Sequence, residues 1–334
     1  MPIVLNPLRL PRLRPLKFTP LLKRIRWGGR RLGELLGKSI GVGDDYAESW
    51  EVCDHGADQS VVAGGEYDGW PLLRLVKERA TELLGRHAKC PQFPLLIKFL
   101  DARDRLSVQV HPNDEQAERY LPGELGKTEA WVVVAANKGS CVFAGLQPGL
   151  TEPELRQALA RGTIEQCLHR IEVSPGDFLF VPAGTVHAIG EGVVLAEVQQ
   201  SSNLTFRLFD WNRLGSDGAP RELHVEQSLA CIDFSRGPVD KSSPAAVPLN
   251  GNVLEELVHC PYFNIRRHTN SQPWTILADD RCHILLGLAG AADVVSRDDR
   301  QALNLGETIL VPACTLPVEI HPRTPTVILE IFWE

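Results

Sequence analysis

After about residue 90 the chain alternates short apolar runs with glycine, proline and asparagine. The runs include PLLIKFLDA, LSVQVHP, EAWVVVAA, DFLFVPAG and GVVLAEVQQ. Many short strands separated by turn residues are typical of a β-sandwich or a closed barrel. The pattern therefore predicts a mainly β protein.

One helical segment interrupts these strands. Thr151 can cap a helix with Glu154 three residues later, and Pro153 suits its first turn. We therefore expect a small helical lobe inserted around residues 151–170.

A change of composition divides the chain. Residues 235–252 are rich in Ser, Pro and Gly and carry no apolar period, so they predict a linker. The division that follows is a catalytic domain over 1–234 and a second, smaller C-terminal β domain over 253–334.

An internal repeat agrees with this division. The stretches SPGDFLFVPAGTVHAI and NLGETILVPACTLPVEI each place a glycine six residues before a proline. Five residues after that proline, the first stretch has His187 and the second has Pro317. The repeat indicates a duplicated β-barrel unit whose second copy is degenerate and has lost a polar residue.

Composition and charge exclude some classes of partner. The net charge of −7 and the pI near 5.8 give no basic footprint for nucleic acid. No apolar run approaches the roughly 20 residues that span a bilayer, so we expect no membrane contact and a cytoplasmic location.

The eight cysteines form no C-x-x-C pair, and we expect most of them to be reduced. The basic, proline-broken start, MPIVLNPLRLPRLRPLKF, predicts a tether.

The stretch SVQVHPNDEQ places Ser107, Gln109 and His111 at alternate positions, and such residues leave a strand on one face. Inside a barrel, three unpaired polar groups would cost several kcal/mol unless they line a wet cavity or hold a metal. The solvated face of an edge strand is the alternative, and this stretch alone does not separate the two.

Further polar residues lie in neighbouring strand contexts. Glu129 leads into an apolar run, and His187 follows a proline–glycine turn. Each alone would be an ordinary surface charge or hydrogen-bonding residue. Together, Gln109, His111, Glu129 and His187 form a nitrogen and oxygen donor set that suits Zn²⁺ and leaves room for water or substrate.

These residues lie in motifs that resemble those of type I mannose-6-phosphate isomerases (phosphomannose isomerases) of the short bacterial class. The resemblance implies a cupin-type β-barrel, or jelly roll. The matching stretches are WGGRRLGELLG (27–37), ESWEV (48–52), PLLIKFLDARDRLSVQVHPND (94–114), GKTEAW (126–131), VPAGTVHAIG (181–190) and EVQQSSNLTFRLFDW (197–211).

The resemblance also implies roles for individual residues. It places one zinc ion per chain on Gln109, His111, Glu129 and His187. It places an essential arginine on Arg207, and further pocket residues on Lys98, Ser107, Lys127 and Glu197.

The implied reaction interconverts mannose 6-phosphate and fructose 6-phosphate through a cis-enediol. Glu197 and Lys127 are the acid–base candidates, although Glu197 could equally be a structural partner of Arg207. Arg207 could grip the phosphate or stabilise the enediolate. Lys98 and Ser107 are candidates for phosphate binding. The expected partner is therefore a small phosphosugar, and we expect a monomer or a weak homodimer.

Two other functions compete with this one. A metal-dependent cupin oxidoreductase would use iron or manganese, and a non-catalytic module would bind a sugar phosphate without turnover. Gln109, Lys127 and Arg207 favour the isomerase over the oxidoreductase. A complete ligand set together with Arg207 favours it over the binding module.

Overall fold

The computed structural model describes residues 10–214, 218–297 and 299–334. The first strands are β1 (Phe18–Thr19), β2 (Leu21–Gly29), β3 (Tyr46–Val52), β4 (Asp54–His55), β5 (Asp58–Gln59), β6 (Val61–Val62), β7 (Leu95–Ala102), β8 (Val108–Val110), β9 (Glu129–Ala136), β10 (Cys141–Leu146), β11 (Leu168–Glu172), β12 (Phe178–Val181), β13 (His187–Ile189), β14 (Val193–Gln200) and β15 (Phe206–Phe209). They are followed by β16 (Ala246–Leu249), β17 (Asn252–His259), β18 (Asn264–Asn270), β19 (Trp274–Ile276), β20 (His283–Ala289), β21 (Ala291–Ser296), β22 (Asp299–Asn304), β23 (Thr308–Val311), β24 (Val318–Pro322) and β25 (Thr326–Phe332). The α-helices are α1 (Arg31–Glu34), α2 (Leu72–Glu78), α3 (Ala80–Leu84), α4 (Asp114–Tyr120), α5 (Glu152–Arg161) and α6 (Val225–Cys231).

Most strands form two pairs of antiparallel sheets, and β1-β6 and β4-β5 form two further two-stranded sheets. In the first pair, a sheet of order β12-β9-β14-β7-β3-β2 packs against one of order β11-β10-β13-β8-β15. In the second pair, a sheet of order β16-β17-β18-β25-β20-β23 packs against one of order β19-β24-β21-β22. The prediction of a mainly β protein is confirmed.

Strand β7 is buried on both faces, which explains its nearly continuous apolar sequence. Ile97 and Phe99 pack with Ile284 and Leu329 of the second pair of sheets in one shared core. Burial of each such side chain contributes about 1.5–3 kcal/mol to folding. The alternate position, Lys98, therefore projects to the opposite face, into the space between the first two sheets.

A buried ion pair in the first half of the chain also forms hydrogen bonds to the second half. Lys38 Nζ lies 2.6 Å from Glu51 Oε1, and both side chains are at most 7% exposed. Lys38 also donates to the backbone oxygen of Gly306 at 2.5 Å, and Thr308 donates to Glu51 Oε2 at 3.3 Å. Burial raises the pKa of Glu51, while the Lys38 ammonium opposes that rise. The partners come from distant parts of the sequence and fix the two halves against each other.

The inserted helix forms where the capping pattern predicts it. The backbone N–H of Thr151 donates to Glu154 Oε2 at 2.8 Å, and its hydroxyl donates to the same oxygen at 2.7 Å. Gly162 ends the helix in the left-handed region with φ 69°. The helix buries Leu155 and Ala158 against the first pair of sheets.

The N-terminal stretch differs from its prediction as a tether. Residues 1–9 lie outside the described part of the chain. Beyond them, Leu13, Leu16 and Phe18 are buried in the shared core. Leu16 also exchanges backbone hydrogen bonds of 2.7 and 2.8 Å with Leu310. For residues 13–18 the tether prediction is wrong, because Leu13 and Leu16, which lie beside basic residues, are core residues.

The segment predicted as a linker contains a strand. Strand β16 pairs with β17 at the edge of its sheet, with Leu249 opposite Asn252. All four residues of β16 are exposed, which is why the segment shows no apolar period. The division into domains over 1–234 and 253–334 stays a prediction.

The two copies of the sequence repeat occupy equivalent positions in the two halves. Strands β12 and β23 each form an edge of a six-stranded sheet. The next strand then crosses to the opposite sheet, beginning with His187 in the first half and directly after Pro317 in the second. Pro317 in the second half thus occupies the position that His187 occupies in the first half.

Candidate active site

The candidate site lies between the first two sheets. On one sheet, Gln109 of β8 stands opposite His187 of β13 and opposite Arg207 of β15. The facing sheet supplies Glu129, the first residue of β9. His111 directly follows β8 and is 1% exposed. The barrel interior therefore collects polar residues from both sheets.

Backbone carbonyl groups orient both imidazole rings. His111 Nδ1 lies 3.1 Å from the oxygen of Leu204, and His187 Nδ1 lies 2.9 Å from the oxygen of Thr185. A carbonyl oxygen only accepts, so each Nδ1 carries the proton and each Nε2 keeps a free electron pair. Both lone pairs are available to a ligand in the site.

The two Nε2 atoms converge on one carboxylate. His111 Nε2 lies 3.2 Å from Glu129 Oε1, and His187 Nε2 lies 3.7 Å from Glu129 Oε2. One ligand atom from each of the three residues lies within 4.8 Å of the others, and the three side chains are buried. Lone pairs brought this close repel one another unless a cation lies among them. His111, Glu129 and His187 could therefore hold a metal ion.

The protonation states also suit a metal. Burial lowers the pKa of His111 to about 3, and it lowers the pKa of His187 as well. Burial alone would raise the pKa of Glu129, but Lys127 and the imidazoles hold it well below the usual range. Neutral imidazoles and an ionised carboxylate are the forms that bind metals.

Gln109 completes the cluster from β8. Its amide nitrogen lies 3.2 Å from His187 Nε2, so the side chain reaches the predicted ligand set. Coordination by its oxygen requires the amide plane to turn over. The four residues that the sequence singles out thus come together at one place.

A row of polar residues crosses the facing sheet. Glu197 of β14 stands between Lys98 of β7 and Trp131 of β9 in the strand register. Lys98 Nζ lies 2.9 Å from Glu197 Oε1. The indole N–H of Trp131 lies 3.1 Å from Glu197 Oε2 and 3.2 Å from Glu129 Oε2. Trp131 thus links the candidate metal cluster to the acid–base candidate.

Proteins of known family resemble this chain over most of its length. The family model described as "Phosphomannose isomerase type I, catalytic domain" matches residues 16–146. Mannose-6-phosphate isomerase of Streptococcus mutans is 37% identical over 298 residues, which are 89% of this chain and 92% of the relative. The chain belongs to the type I phosphomannose isomerase family. The corresponding prediction from the sequence, including that of an enzyme, is confirmed.

Other members of the family agree in sequence and in structure. Mannose-6-phosphate isomerase ManA of Bacillus subtilis is 35% identical over 89% of this chain and 93% of the relative. The crystal structure of the mannose 6-phosphate isomerase from Bacillus subtilis is 29% identical and superposes with a TM-score of 0.88, covering 96% of this chain and 99% of that one. The predicted cupin-type fold is thereby confirmed.

Arg207 is only partly buried, as is Gln109, whereas the other predicted site residues are buried. Its Nη1 donates to the backbone oxygen of Glu222 at 2.7 Å. Its Nε is buried and has no hydrogen-bond partner among the described residues. Burial and the neighbouring charge of Arg221 lower the pKa of Arg207. A donor without a partner in positively charged surroundings suits an anionic ligand.

The remaining predicted residues lie around the cluster. Lys127 Nζ is 3.0 Å from Glu129 Oε1 and 3.3 Å from His111 Nε2. Ser107 is 6% exposed and directly precedes β8. Burial opposes the charge of Lys98, but Glu197 and other carboxylates raise the pKa of Lys98 above its usual range. The predicted roles of these residues stay predictions.

Sequence reasoning missed two residues that build the site. Trp131 looks like part of the apolar run EAWVVV, yet it stands two positions after Glu129 and therefore shares its face. Glu48, in the motif ESWEV, lies 3.7 Å from Lys98 Nζ and accepts from the indole N–H of Trp50 at 2.6 Å. The alternation of side chains along β9, which puts Trp131 on the same face as Glu129, could have identified Trp131 from the sequence.

Proposed function

We propose that the chain interconverts mannose 6-phosphate and fructose 6-phosphate through a cis-enediol, with one zinc ion per chain. The observation that carries the proposal is the convergence of His111, Glu129 and His187 inside the barrel of a phosphomannose isomerase. The relatives are mannose-6-phosphate isomerases by name, which supports this substrate. The donor set and its surroundings supply the argument for zinc.

Zinc fits the donors of this cluster. Two imidazole nitrogens, a carboxylate and the Gln109 amide are nitrogen and oxygen donors, and a site without thiolates is characteristic of catalytic rather than structural zinc. A bound zinc ion would act as a Lewis acid that stabilises negative charge on the sugar oxygens. The neutral rings and the low pKa of Glu129 support binding without proton release at neutral pH.

The proton transfer itself falls to side chains of the chain. The aldose must lose its C2 proton to a base, and the enediol must receive a proton at C1 to give the ketose. Burial and the charge of Glu129 raise the pKa of Glu197, which brings this carboxyl closer to the range of a general acid–base. Lys127 is the second candidate, since its ammonium lies at the cluster and can protonate a sugar oxygen.

The phosphate group requires a cation that is not already paired. Lys98 contacts Glu197 and Glu48, which supports a role in holding Glu197 in place. Arg207 has a buried donor for which the described residues provide no partner, which supports a role in binding the phosphate or the enediolate. Ser107 remains a candidate for the same anion.

A cytoplasmic location belongs to the same proposal. The eight cysteines are all free, as expected in a reducing compartment. Among the described residues, no helix has the length and apolar character needed to cross a bilayer.

A metal analysis followed by a coupled assay tests the proposal. The protein is loaded with zinc, its metal content is measured, and conversion of mannose 6-phosphate to fructose 6-phosphate is followed. Turnover with about one zinc per chain is expected. Zinc-loaded protein that binds the sugar phosphate without turnover would favour a binding module, and activity only with iron or manganese and an oxidant would favour an oxidoreductase.

A further inference from the structure

A cavity of about 490 Å³ lies in the second pair of sheets, where the sequence predicts only a degenerate copy of the barrel. Leu249 and Leu277 line its rim and are 53% and 73% exposed, so the cavity is accessible from solvent. Its size is in the range of pockets that hold small ligands. None of its lining residues belongs to the candidate active site.

The floor of this cavity carries a buried carboxylate between two imidazoles. Glu330 is 3% exposed. Its Oε2 lies 2.8 Å from His268 Nε2, and its Oε1 lies 2.8 Å from His283 Nδ1. The rings approach different oxygens and do not point to one common centre. Within the described chain, the only three-residue cluster with metal-ligand spacing is the one at His111.

The charged groups around the cavity already have partners within the protein. Asp279 lies 3.2 Å from His283 Nε2 and 2.8 Å from Arg281 Nε. Arg266 is paired with Glu256 at 3.2 Å. The carboxylates in the wall disfavour a phosphate, and each of them already lies against a histidine or an arginine rather than open to a free cation. The wall therefore suits a neutral polar ligand.

One wall of the cavity is aromatic and rigid. The ring of Trp274 stacks on His268 with centroids 3.8 Å apart and planes 12° apart. Pro273 and Ile276 extend this wall with apolar surface. Asn252 holds the turn before Trp274, because its side chain accepts from the backbone N–H of Gln272 at 3.0 Å. An apolar face beside hydrogen-bonding groups is the combination that binds a sugar ring.

We infer that this cavity is a second binding site, which takes an uncharged pyranose sugar. The flat face of the sugar packs along Trp274 and its apolar neighbours. The hydroxyl groups exchange hydrogen bonds with Glu330, His268 and Asp279. The site is distinct from the phosphosugar site, because its wall carries carboxylates where a phosphate would require cations.

Calorimetric titration of the full chain with D-mannose, D-glucose and maltose tests the inference. Leu277→Trp fills the rim from an exposed position, and Trp274→Leu removes the aromatic wall. Both should weaken binding of the preferred sugar at least about tenfold, which corresponds to 1.4 kcal/mol. Val42→Trp is the matched control, since Val42 is fully exposed and lies outside the cavity. Circular dichroism verifies that each variant is folded.

The outcomes separate the two sites. Binding that survives Arg207→Ala and His187→Ala but fails in folded Leu277→Trp supports the inference. Binding lost in those active-site variants and kept in Leu277→Trp overturns it, because the sugar then occupies the phosphosugar site. Absence of heat with all three sugars at millimolar concentration also overturns it, as does saturable zinc binding that Leu277→Trp abolishes.

Discussion

Arg207 stands directly opposite Gln109 in the antiparallel pair of β15 and β8. Opposed residues in a ladder project to the same face of the sheet, so Arg207 shares its face with a predicted metal ligand. His187 stands opposite Gln109 on the other side. The register of β13, β8 and β15 thus places the Arg207 guanidinium on the same face as the candidate metal cluster, although Arg207 is not one of the predicted ligands.

Replacement of Arg207 should separate catalysis from metal binding. We expect Arg207→Ala to retain the metal and to lower kcat/KM about 100-fold or more, because a charged donor to the substrate is lost. Steady-state kinetics and metal analysis measure the two effects. Arg300→Ala is the matched control, since its side chain is 64% exposed and, within the described part of the chain, pairs with Asp293 alone. Equal activity in the Arg207 variant would remove this residue from the site.

Replacement of His187 should act first on the metal. We expect His187→Ala to weaken zinc affinity at least about 100-fold. Loss of a direct ligand should cost at least as much affinity as loss of a residue that only orients a ligand. Competition with a chromogenic chelator measures the affinity. His321→Ala, which removes a half-exposed imidazole, should leave it unchanged. Full zinc content at low free zinc in the His187 variant would contradict the ligand assignment.

Trp131 offers a test of the link between Glu129 and Glu197. Trp131→Phe keeps most of the ring and removes the N–H that both carboxylates accept. We expect a fall in kcat of about 10- to 100-fold with the fold intact. The rising limb of the pH profile should also move to higher pH, because the Glu197 carboxylate loses a donor that stabilises its ionised form, and its pKa rises. Trp211→Phe, which loses one bond to the Leu106 carbonyl, is the control and should leave the pH profile in place.

The acid stability of the protein should depend on Glu330. Burial would raise the pKa of Glu330, but His268 and His283 lower it to about 2, against about 4.3 in an unfolded chain. The folded state therefore favours the ionised form. The stabilisation, on the order of 2–3 kcal/mol, is complete above about pH 5 and is lost as the pH falls toward 2.

Urea unfolding between pH 2 and 7 measures this contribution. The free energy of unfolding of Glu330→Gln should fall less steeply below pH 5 than that of the parent chain. Glu319→Gln serves as the control, because Glu319 also pairs with a histidine but is 61% exposed. Parallel pH curves for the parent and Glu330→Gln would refute the assignment.

The buried pair of Lys38 and Glu51 predicts an asymmetry between single and double variants. Lys38→Met should destabilise the protein by about 3–5 kcal/mol, because it leaves Glu51 buried without an opposite charge. Lys38→Met combined with Glu51→Leu should recover most of that loss. Thermal or denaturant unfolding of the parent, Lys38→Met and the double variant measures the recovery, and a double variant that is no more stable than Lys38→Met would contradict the prediction.

Local sequence patterns predicted part of this structure correctly. The period of two found Gln109 and His111 on one face, and the spacing of Thr151 and Glu154 found the inserted helix. These features depend on residues that are close in sequence, for which backbone geometry is almost fixed. The family resemblance added Arg207, which the alternation along its strand alone would leave on the surface.

Features that depend on strand pairing could not be predicted in this way. His268 and Glu330 are 62 residues apart, and only the register of β18 and β25 brings them together. Leu13 and Leu16 stand in a basic stretch and are buried because the second half of the chain covers them. Pairing register follows from the packing of the whole sheet, which a local pattern does not contain.

The two faces of β7 have a consequence for how the protein tolerates change. Lys98 serves the candidate active site, while Ile97 and Phe99 hold the two halves together. A single residue inserted ahead of them would reverse this alternation, turning the ammonium into the shared core and the benzyl ring toward the sugar. Length variation among relatives should therefore be confined to the loops on either side of this strand.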